Sequence, residues 1–393
     1  MVRRTDGTMT VERNVGAAAG AVFLLGLGEE LWKKFLPKYL ESLGAGVAII
    51  GLFGTAEDGF DALYQYPGGW LADHWGRRRA FLAFLVAALI GYLVYLLSPS
   101  WPFLFVGLAL TMAWQSMASP AVFATIGDAL PREHRAFGFT FQSILKRIPM
   151  VISPLIGGAL MGRLGVPAGV HLGLLVTLGL AAVAMMLLRR ISLPVPAPHR
   201  TTLGKVWRSF DPALRRLLAS DIVIRTCEGM SDIFAILFVT NITGLSIAQY
   251  GILVAIQLAT SILVYFPAAR AADRVGRKPF VIATFLCFAL FPVAVVQADN
   301  FHSAIVAFVI GGLREIGEPS RKAMIVDFAP SQTRARTVGL YYLVRSLCIT
   351  PASVIGGILW KFSPSAPFLI AGAIGMGGTM LFAATIPRAH FEG

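Results

Sequence analysis

Long apolar stretches separated by short polar connections make up almost the whole chain. A helix needs roughly 20 mostly apolar residues to cross about 30 Å of hydrocarbon, and on that basis the sequence predicts about twelve membrane-spanning helices. The short connections leave no room for a separate soluble domain, so we expect an all-α polytopic membrane protein. The spans are expected near residues 15–40, 47–72, 79–98, 101–128, 136–163, 167–190, 218–242, 246–272, 279–298, 302–328, 335–362 and 365–386.

Basic residues outnumber acidic ones by 34 to 21 and concentrate in alternate connections. Cytoplasmic loops collect Lys and Arg, so we expect both termini on the cytoplasmic side of a plasma (inner) membrane. The cations lie in short clusters between apolar runs rather than on one polar domain, which favours membrane lipids over nucleic acid as their partner. The most basic connection, residues 191–217, is interpreted as a cytoplasmic linker between an N-terminal bundle (1–190) and a C-terminal bundle (218–393).

The two halves of the chain repeat each other. A motif that runs from Gly69 to Arg79 recurs, in degenerate form, from Ala269 to Lys278. Further pairs lie at an offset of 199 residues, among them Glu29 with Glu228. A duplicated membrane protein is the simplest interpretation. The matched polar and glycine positions are Asp73 and Asp273, Gly76 and Gly276, Arg77 and Arg277, and Asp128 and Asp327.

The motif has a physical interpretation as a gate. Gly76 permits a tight reversal between two helices, and the small face of Gly69 lets another helix approach closely. Arg77 can reach Asp128 at the end of the fourth span, and the repeat supplies the same pair as Arg277 and Asp327. Such pairs would hold the ends of the bundle together in one state. The alternative is that these arginines only anchor the loop at lipid phosphates.

With these features the chain resembles the major facilitator superfamily. The signature Gly-x-Leu-Ala-Asp-x-x-Gly-Arg-Arg/Lys is met by Gly69 to Arg78, and its repeat keeps Asp273, Gly276 and Arg277. The resemblance implies two pseudo-symmetric six-helix bundles and secondary transport of a small solute by alternating access. We expect a monomer that needs no cofactor or metal. No catalytic constellation is visible, so an enzyme is not expected.

Carboxylates in mid-span are the first candidate site. A charge at membrane depth costs at least about 2.5–3.5 kcal/mol, so each needs a partner or a role. Neighbouring carboxylates at i,i+4, such as Glu57 and Asp61, cannot both ionise cheaply, which suits proton coupling. Two alternatives stay open: Glu29 is neutralised by Lys33 of its own helix, or the second span pairs with Lys146 or Arg147. The predicted proton-coupling residues are Glu29, Glu57, Asp58, Asp61 and Glu228.

Cations of spans five, ten and eleven are the second candidate site. In the tenth span, helical spacing predicts that Arg314, Glu318 and Arg321 share one face. Such a face could bind an anionic or zwitterionic substrate. The alternative is a charge network that only joins helices. The predicted substrate-binding residues are Gln115, Lys146, Arg147, Arg314, Glu318 and Arg345.

The motif copies resemble the drug–proton antiporter branch, which favours proton-coupled efflux. The arginine of that branch's Arg-x-x-Gln-Gly element is missing from the stretch Met112 to Met117. The runner-up is therefore symport or exchange of a polar or anionic metabolite. A transporter-like sensor or scaffold is the alternative of another class.

Overall fold

A computed structural model describes residue 16 and the ranges 20–117, 135–189, 207–208, 210–329 and 334–386. Over these ranges the chain forms helices joined by short connections, and it contains no β-strand. The all-α prediction is confirmed. The helices are α1 (residues 20–29), α2 (Leu36–Ser42), α3 (Val47–Trp75), α4 (Arg77–Leu97), α5 (Pro102–Met112), α6 (Arg135–Leu164), α7 (Val166–Arg189), α8 (Pro212–Ser231), α9 (Ile247–Val275), α10 (Lys278–Val296), α11 (Phe301–Leu313), α12 (Glu318–Asp327), α13 (Arg334–Ile349), α14 (Ala352–Trp360) and α15 (Ala366–Thr385).

Six stretches of the described residues are long and apolar enough to cross a membrane. Their ends lie within two residues of those of predicted spans three, six, eight, nine, eleven and twelve. These stretches are Arg78–Leu97, Val166–Arg189, Ile247–Ala272, Lys278–Val296, Thr337–Trp360 and Ala366–Thr385.

The chain divides into two compact units. Unit 1 comprises Met1–Gly44 and Phe60–His199, and unit 2 comprises Ala45–Gly59 and Arg200–Gly393. The predicted bundle boundaries at residues 190 and 218 remain a prediction, and most of the predicted linker lies outside the described residues. The division also assigns the first part of α3, up to Gly59, to unit 2.

Small residues bring neighbouring helices together within each unit. In unit 1, Gly91 of α4 lies against Gly107 of α5. In unit 2, Gly375 of α15 lies against Ala289 of α10, and a cluster that includes Phe285 and Phe382 fills the space beside them. Close approach of backbones at small residues is the packing that helices use where lipid replaces water.

The two motif glycines adopt the backbone conformation that the sequence predicts. Gly76 has φ of 80° and separates α3 from α4, and Gly276 has φ of 95° between α9 and α10. A side chain at either position would meet its own backbone in this left-handed region. The predicted reversals are therefore confirmed at both copies.

The first span is broken, contrary to the single helix expected over 15–40. At Leu31 the backbone switches from α-helical to 3-10 hydrogen bonds, and its N–H bonds to Gly28 O at 3.2 Å. The carbonyl of Leu27, which an unbroken α-helix would pair with Leu31, accepts the Ser153 hydroxyl of α6 at 2.9 Å. Gly157 of α6 packs directly on the Leu31 carbonyl. Contacts from a distant helix thus support the break.

Unit 2 repeats this break 199 residues later. The 3-10 turn Lys33–Phe35 of unit 1 corresponds to Asp232–Phe234, which follows α8. Ser353 donates its hydroxyl to Gly229 O at 2.8 Å, and Gly356 packs on the Met230 carbonyl. The duplication inferred from the sequence therefore includes an interruption that the sequence did not predict.

Candidate functional site

A cluster of charged side chains lies inside unit 2. Its members come from α8, the break that follows α8, the connection between α11 and α12, and helices α12 and α13. We call it the unit 2 charge cluster, and it consists of Asp221, Arg225, Glu228, Asp232, Arg314, Glu318, Arg321, Lys322 and Arg345.

Asp221 and Arg321 form the centre of the cluster, with 0% and 1% of their side chains exposed. Arg321 Nη1 donates to Asp221 Oδ2 at 2.5 Å, and the Tyr341 hydroxyl donates to the same oxygen at 3.0 Å. Arg321 also donates to both oxygens of Glu318, from Nε at 2.9 Å and from Nη2 at 2.6 Å. Bidentate arginine–carboxylate pairs of this kind are the strong, directional ones. The centre is a closed network that joins α8, α12 and α13.

Arg314 has its guanidinium fork already occupied. Its Nη1 and Nη2 donate to the two oxygens of Asp232 at 3.1 and 3.0 Å. The rings of Phe288 and Phe291 cover the guanidinium at 4.9 and 4.6 Å. The sequence left two interpretations of Arg314 open, a charge network that joins helices and a substrate-binding cation. The structure shows the contacts of the charge network, and substrate binding stays a prediction.

The tenth span is interrupted between α11 and α12. Residues 314–317 form a turn, and the Gly317 N–H bonds to the Thr284 hydroxyl at 2.5 Å rather than to its own helix. The prediction that Arg314 shares a continuous helical face with Glu318 and Arg321 is therefore wrong. Pro319 lies in the first turn of α12, where its missing N–H costs nothing.

Glu228, the predicted unit 2 proton carrier, lies in an ion pair. Arg225 Nη1 donates to Glu228 Oε2 at 2.7 Å, and Arg314 is 3.9 Å from the other oxygen. Arg225 also lies 3.3 Å from Glu318 and 4.0 Å from Asp221. Glu228 thus has its near partner, Arg225, on its own helix, and Asp232 pairs with Arg314 from the connection between α11 and α12.

Arg345 differs from the other arginines of the cluster in that it donates no hydrogen bond to a described residue. Arg225, which is equally exposed and also has a buried Nε without a partner, donates to Glu228 and Glu318. The Arg345 side chain is 17% exposed, and its Nη1 lies 3.6 Å from Asp221 Oδ2, beyond hydrogen-bonding distance. The guanidinium lies over the Tyr342 ring, 4.7 Å from the centroid. Its Nε is buried without a hydrogen-bond partner in the described part of the chain. Arg345 is therefore oriented by an aromatic ring and keeps donors for a further group.

Glu29 lies in a different environment in unit 1. Only 8% of Glu29 is exposed, and the buried Tyr92 hydroxyl donates to its carboxylate. Lys33 and Gln115 also interact with Glu29, although the helix between Glu29 and Lys33 is broken. Trp32 packs edge-on against Tyr92, with ring centroids 6.1 Å apart. Hydroxyl, amide and ammonium groups surround this acid.

The acids of α3 lie on one unbroken helix, so Glu57 and Asp61 are one turn apart on the same face, as predicted. Asp61 accepts the Ser116 hydroxyl at 2.6 Å. Asp58 lies beside Gly229 of α8. Of the alternative partners, the Lys146 side chain is outside the described residues, and Arg147 is partly exposed on α6.

One polar contact occurs in both units at equivalent positions, with different chemistry. In unit 1, Lys33 of the break donates to Gln115 Oε1 at 2.8 Å. The positions 199 residues later are Asp232 and Arg314, which form the bidentate ion pair of unit 2. Gln115 belongs to a π-helical turn, Ala113–Met117, a feature often found at functional sites. The 3-10 turn at the break thus contributes a cation, Lys33, in unit 1 and an anion, Asp232, in unit 2.

The ion pair predicted from the motif is visible in one copy. Arg277 donates to Asp327, and these side chains are 31% and 55% exposed. The predicted contact is confirmed, while its gating role stays a prediction. Asp128 and the side chains of Asp73, Arg77 and Asp273 lie outside the described residues, as does side-chain detail around Gly69.

Sequence reasoning missed the hydroxyl partners of the acids, namely Tyr92, Ser116 and Tyr341. A single polar residue in an apolar span is usually packing, so nothing in the local pattern sets these apart. The repeat gave no help either, since Tyr92 corresponds to Phe291. No group of His, Cys, Asp and Glu among the described residues has the geometry of a metal site.

Known proteins share this sequence pattern along the whole chain. An uncharacterized MFS-type transporter of Methanocaldococcus jannaschii is 21% identical over 381 residues, which cover 95% of this chain and 94% of that protein. The quinolone resistance protein NorA of Staphylococcus aureus is 25% identical over 134 residues, 34% of each chain.

Solved structures show the same fold. A variant of the nucleoside transporter NupG superposes with a TM-score of 0.80 at 12% identity, covering 95% of this chain and 100% of that one. A peptide transporter, POT, in complex with sulfate superposes with a TM-score of 0.76 at 16% identity, covering 97% and 96%. At such identities the likeness concerns the fold alone. The family model of the Major Facilitator Superfamily matches residues 18–240 and again 217–392. The chain therefore belongs to the major facilitator superfamily of membrane transporters.

Proposed function

We propose that this transporter couples proton movement to the export of a small solute by alternating access. The family supports transport, and the relative NorA, a quinolone resistance protein matched over a third of the chain, favours efflux. We place it in the plasma (inner) membrane as a monomer, with both termini cytoplasmic and the basic linker against lipid headgroups. Alternation of this kind needs no cofactor, because an ion gradient drives it.

The observation that carries the proposal is the environment of Glu29. It is 8% exposed, and its hydrogen-bond partner Tyr92 carries a hydroxyl. A tyrosine hydroxyl donates to a carboxylate and accepts from a carboxylic acid, so it satisfies both forms of the glutamate. Asp221, which also accepts from the Tyr341 hydroxyl, and Glu228 are held by arginines, which can only donate. Among the predicted proton carriers, Glu29 and Asp61 each accept from a hydroxyl, and Glu29 is the more buried of the two.

The test is proton movement in proteoliposomes that contain the purified full-length chain and a pH-sensitive dye. Panels of drugs and polar metabolites are added, and we expect some solute to drive proton flux in the native protein. Glu29→Gln should bind that solute but move no protons with it. The matched control is Glu41→Gln, which removes a carboxylate that is 33% exposed and paired with Lys38.

Proton flux that persists in Glu29→Gln at the native stoichiometry would contradict the role of Glu29. Absence of solute-driven flux in the native protein across the whole panel would favour the sensor or scaffold interpretation.

A second candidate is symport or exchange of a polar or anionic metabolite. The unit 2 charge cluster favours it, because four arginines and Lys322 face only four carboxylates. The same vesicles decide between the two. Export by antiport requires solute to move against an inward proton gradient, whereas symport moves it in the direction of that gradient.

A further inference from the structure

Arg345 is a cation with unused hydrogen-bonding capacity beside two well-paired arginines. Arg314 and Arg321 each place two nitrogens on carboxylate oxygens at 3.1 Å or less. Arg345 donates no hydrogen bond to any residue that the structure describes, and its nearest carboxylate oxygen is 3.6 Å away. That oxygen, Asp221 Oδ2, already accepts from Arg321 and Tyr341. The oxygen nearest to Arg345 is therefore engaged elsewhere, whereas Asp221 Oδ1 is buried without a hydrogen-bond partner among the described residues.

An aromatic ring holds the side chain of Arg345 in place although it has no hydrogen-bond partner in the described residues. Its guanidinium lies over the ring of Tyr342 at 4.7 Å, a stacking arrangement that holds the plane and leaves the edges available. The Nε atom is buried with no hydrogen-bond partner in the described residues. A buried donor without an acceptor is unfavourable, so this edge calls for a further group. The side chain remains 17% exposed, which leaves an approach to it.

Charge balance indicates the sign of that group. The cluster's four carboxylates are matched by Arg225, Arg314, Arg321 and Arg345, and Lys322 adds a further positive charge. A planar guanidinium edge fits two oxygens of a carboxylate or phosphate better than any other group. Binding such an anion would satisfy Nε and neutralise the excess charge.

We propose that Arg345, stacked on Tyr342, binds the carboxylate or phosphate group of the transported solute. This inference rests on the proposed function, since it assumes a solute, and it names the chemical class of that solute. Arg314, the other strong candidate from the sequence, is held by Asp232 and does not take this part.

The test measures thermal unfolding of the full-length protein in a neutral detergent at constant ionic strength. Matched probes differ only in charge: benzoate against benzamide, and phenyl phosphate against phenol. We expect an anionic probe to raise the melting temperature where its neutral partner does not. Arg345→Gln should weaken that probe's binding roughly 30-fold or more, as expected for loss of a charged hydrogen-bond partner. Arg345→Lys keeps the charge without the fork and should also bind more weakly.

Lys361→Gln is the control, because it removes an exposed positive charge from unit 2 at a position outside the cluster. It should leave probe binding within about threefold of the native value, as expected for a weakly coupled exposed charge. Native-like binding by Arg345→Lys, or equal binding by Arg345→Gln and the native protein, would overturn the proposal. So would failure of both anionic probes to stabilise the native protein.

A second arm adds phosphatidylglycerol to the micelles, because a lipid headgroup offers the same phosphate chemistry. Arg345-dependent stabilisation by this lipid without stabilisation by the soluble probes would overturn the assignment to a solute. The outcome is also separable from that of the proposed function. Anion binding without proton flux would refute proton coupling alone, and proton flux driven only by neutral or cationic solutes would refute the role of Arg345 alone.

Discussion

Replacing Asp221 with asparagine should strongly destabilise unit 2. Asparagine has nearly the same shape and keeps an acceptor, so the change removes charge without opening a cavity. The lost charge faces Arg321 at 2.5 Å, Arg345 at 3.6 Å and Arg225 at 4.0 Å, and Asp221 is fully buried. Three guanidinium groups would then share one carboxylate fewer in a region that water does not reach.

The expected magnitude follows from burial. Removing one partner of a buried ion pair costs about 3–5 kcal/mol, because the remaining charge stays desolvated. That corresponds to a fall of about two to three and a half orders of magnitude in the ratio of folded to unfolded protein. Glu228→Gln is the matched control, since Glu228 is 30% exposed although it too pairs with Arg225. Its loss should cost about 1 kcal/mol, as for a solvated pair.

The assay is equilibrium unfolding in mixed micelles with increasing dodecyl sulfate. Far-ultraviolet circular dichroism reports helix content. Tryptophan fluorescence, measured in a background where the other six tryptophans are replaced by phenylalanine, reports Trp360, which packs in unit 2 against Phe234 and Phe238 at 5.8 and 6.2 Å. If Asp221→Asn unfolds within about 0.5 kcal/mol of Glu228→Gln, the argument that burial sets the cost of breaking this network is refuted. The double variant Asp221→Asn/Arg321→Gln should lose less than the sum of its single variants, because it leaves fewer unmatched charges.

Two further predictions concern the broken helix and the gate. Gly157→Ala should lower stability and transport, because its methyl group would overlap a backbone carbonyl of the broken first span. The control is Gly339→Ala, which has open space around it and should be neutral or slightly stabilising. Equal stability of the two variants on thermal unfolding would contradict the close contact. Arg277→Gln should speed amide hydrogen exchange between α9 and α10 by about two- to fivefold, because its pair with Asp327 is partly exposed. Unchanged exchange would mean that the pair does not stabilise this connection.

Sequence reasoning predicted the helices well because their cause is local. An apolar run of sufficient length forms a helix in lipid whatever its neighbours do, and α7 and α15 begin and end within one residue of the spans expected. Gly76 and Gly276 were recognised for a similar reason, since a reversal with positive φ leaves glycine as the residue without strain.

The breaks and the charge partners depend on distant residues, and the sequence could not show them. Neither proline nor a run of glycines marks the break at Leu31. It coincides with the Ser153 hydroxyl and Gly157, which lie more than a hundred residues away along the chain. In the same way, nothing in the sequence of α8 shows that Asp221 pairs with Arg321 of α12 and lies beside Arg345 of α13. A charge within a span predicts that a partner exists, but it does not say on which helix.

The contact that both units share, Lys33 with Gln115 and Asp232 with Arg314, bears on how the chain evolved. After the duplication, the two copies kept the place where a broken helix meets a neighbouring span, and the side chains at that place diverged in charge. In this pair of contacts the location is shared and the chemistry is not. An alignment of the two halves by their helix breaks therefore places a lysine and an aspartate at one equivalent position, which an alignment by residue type would not do.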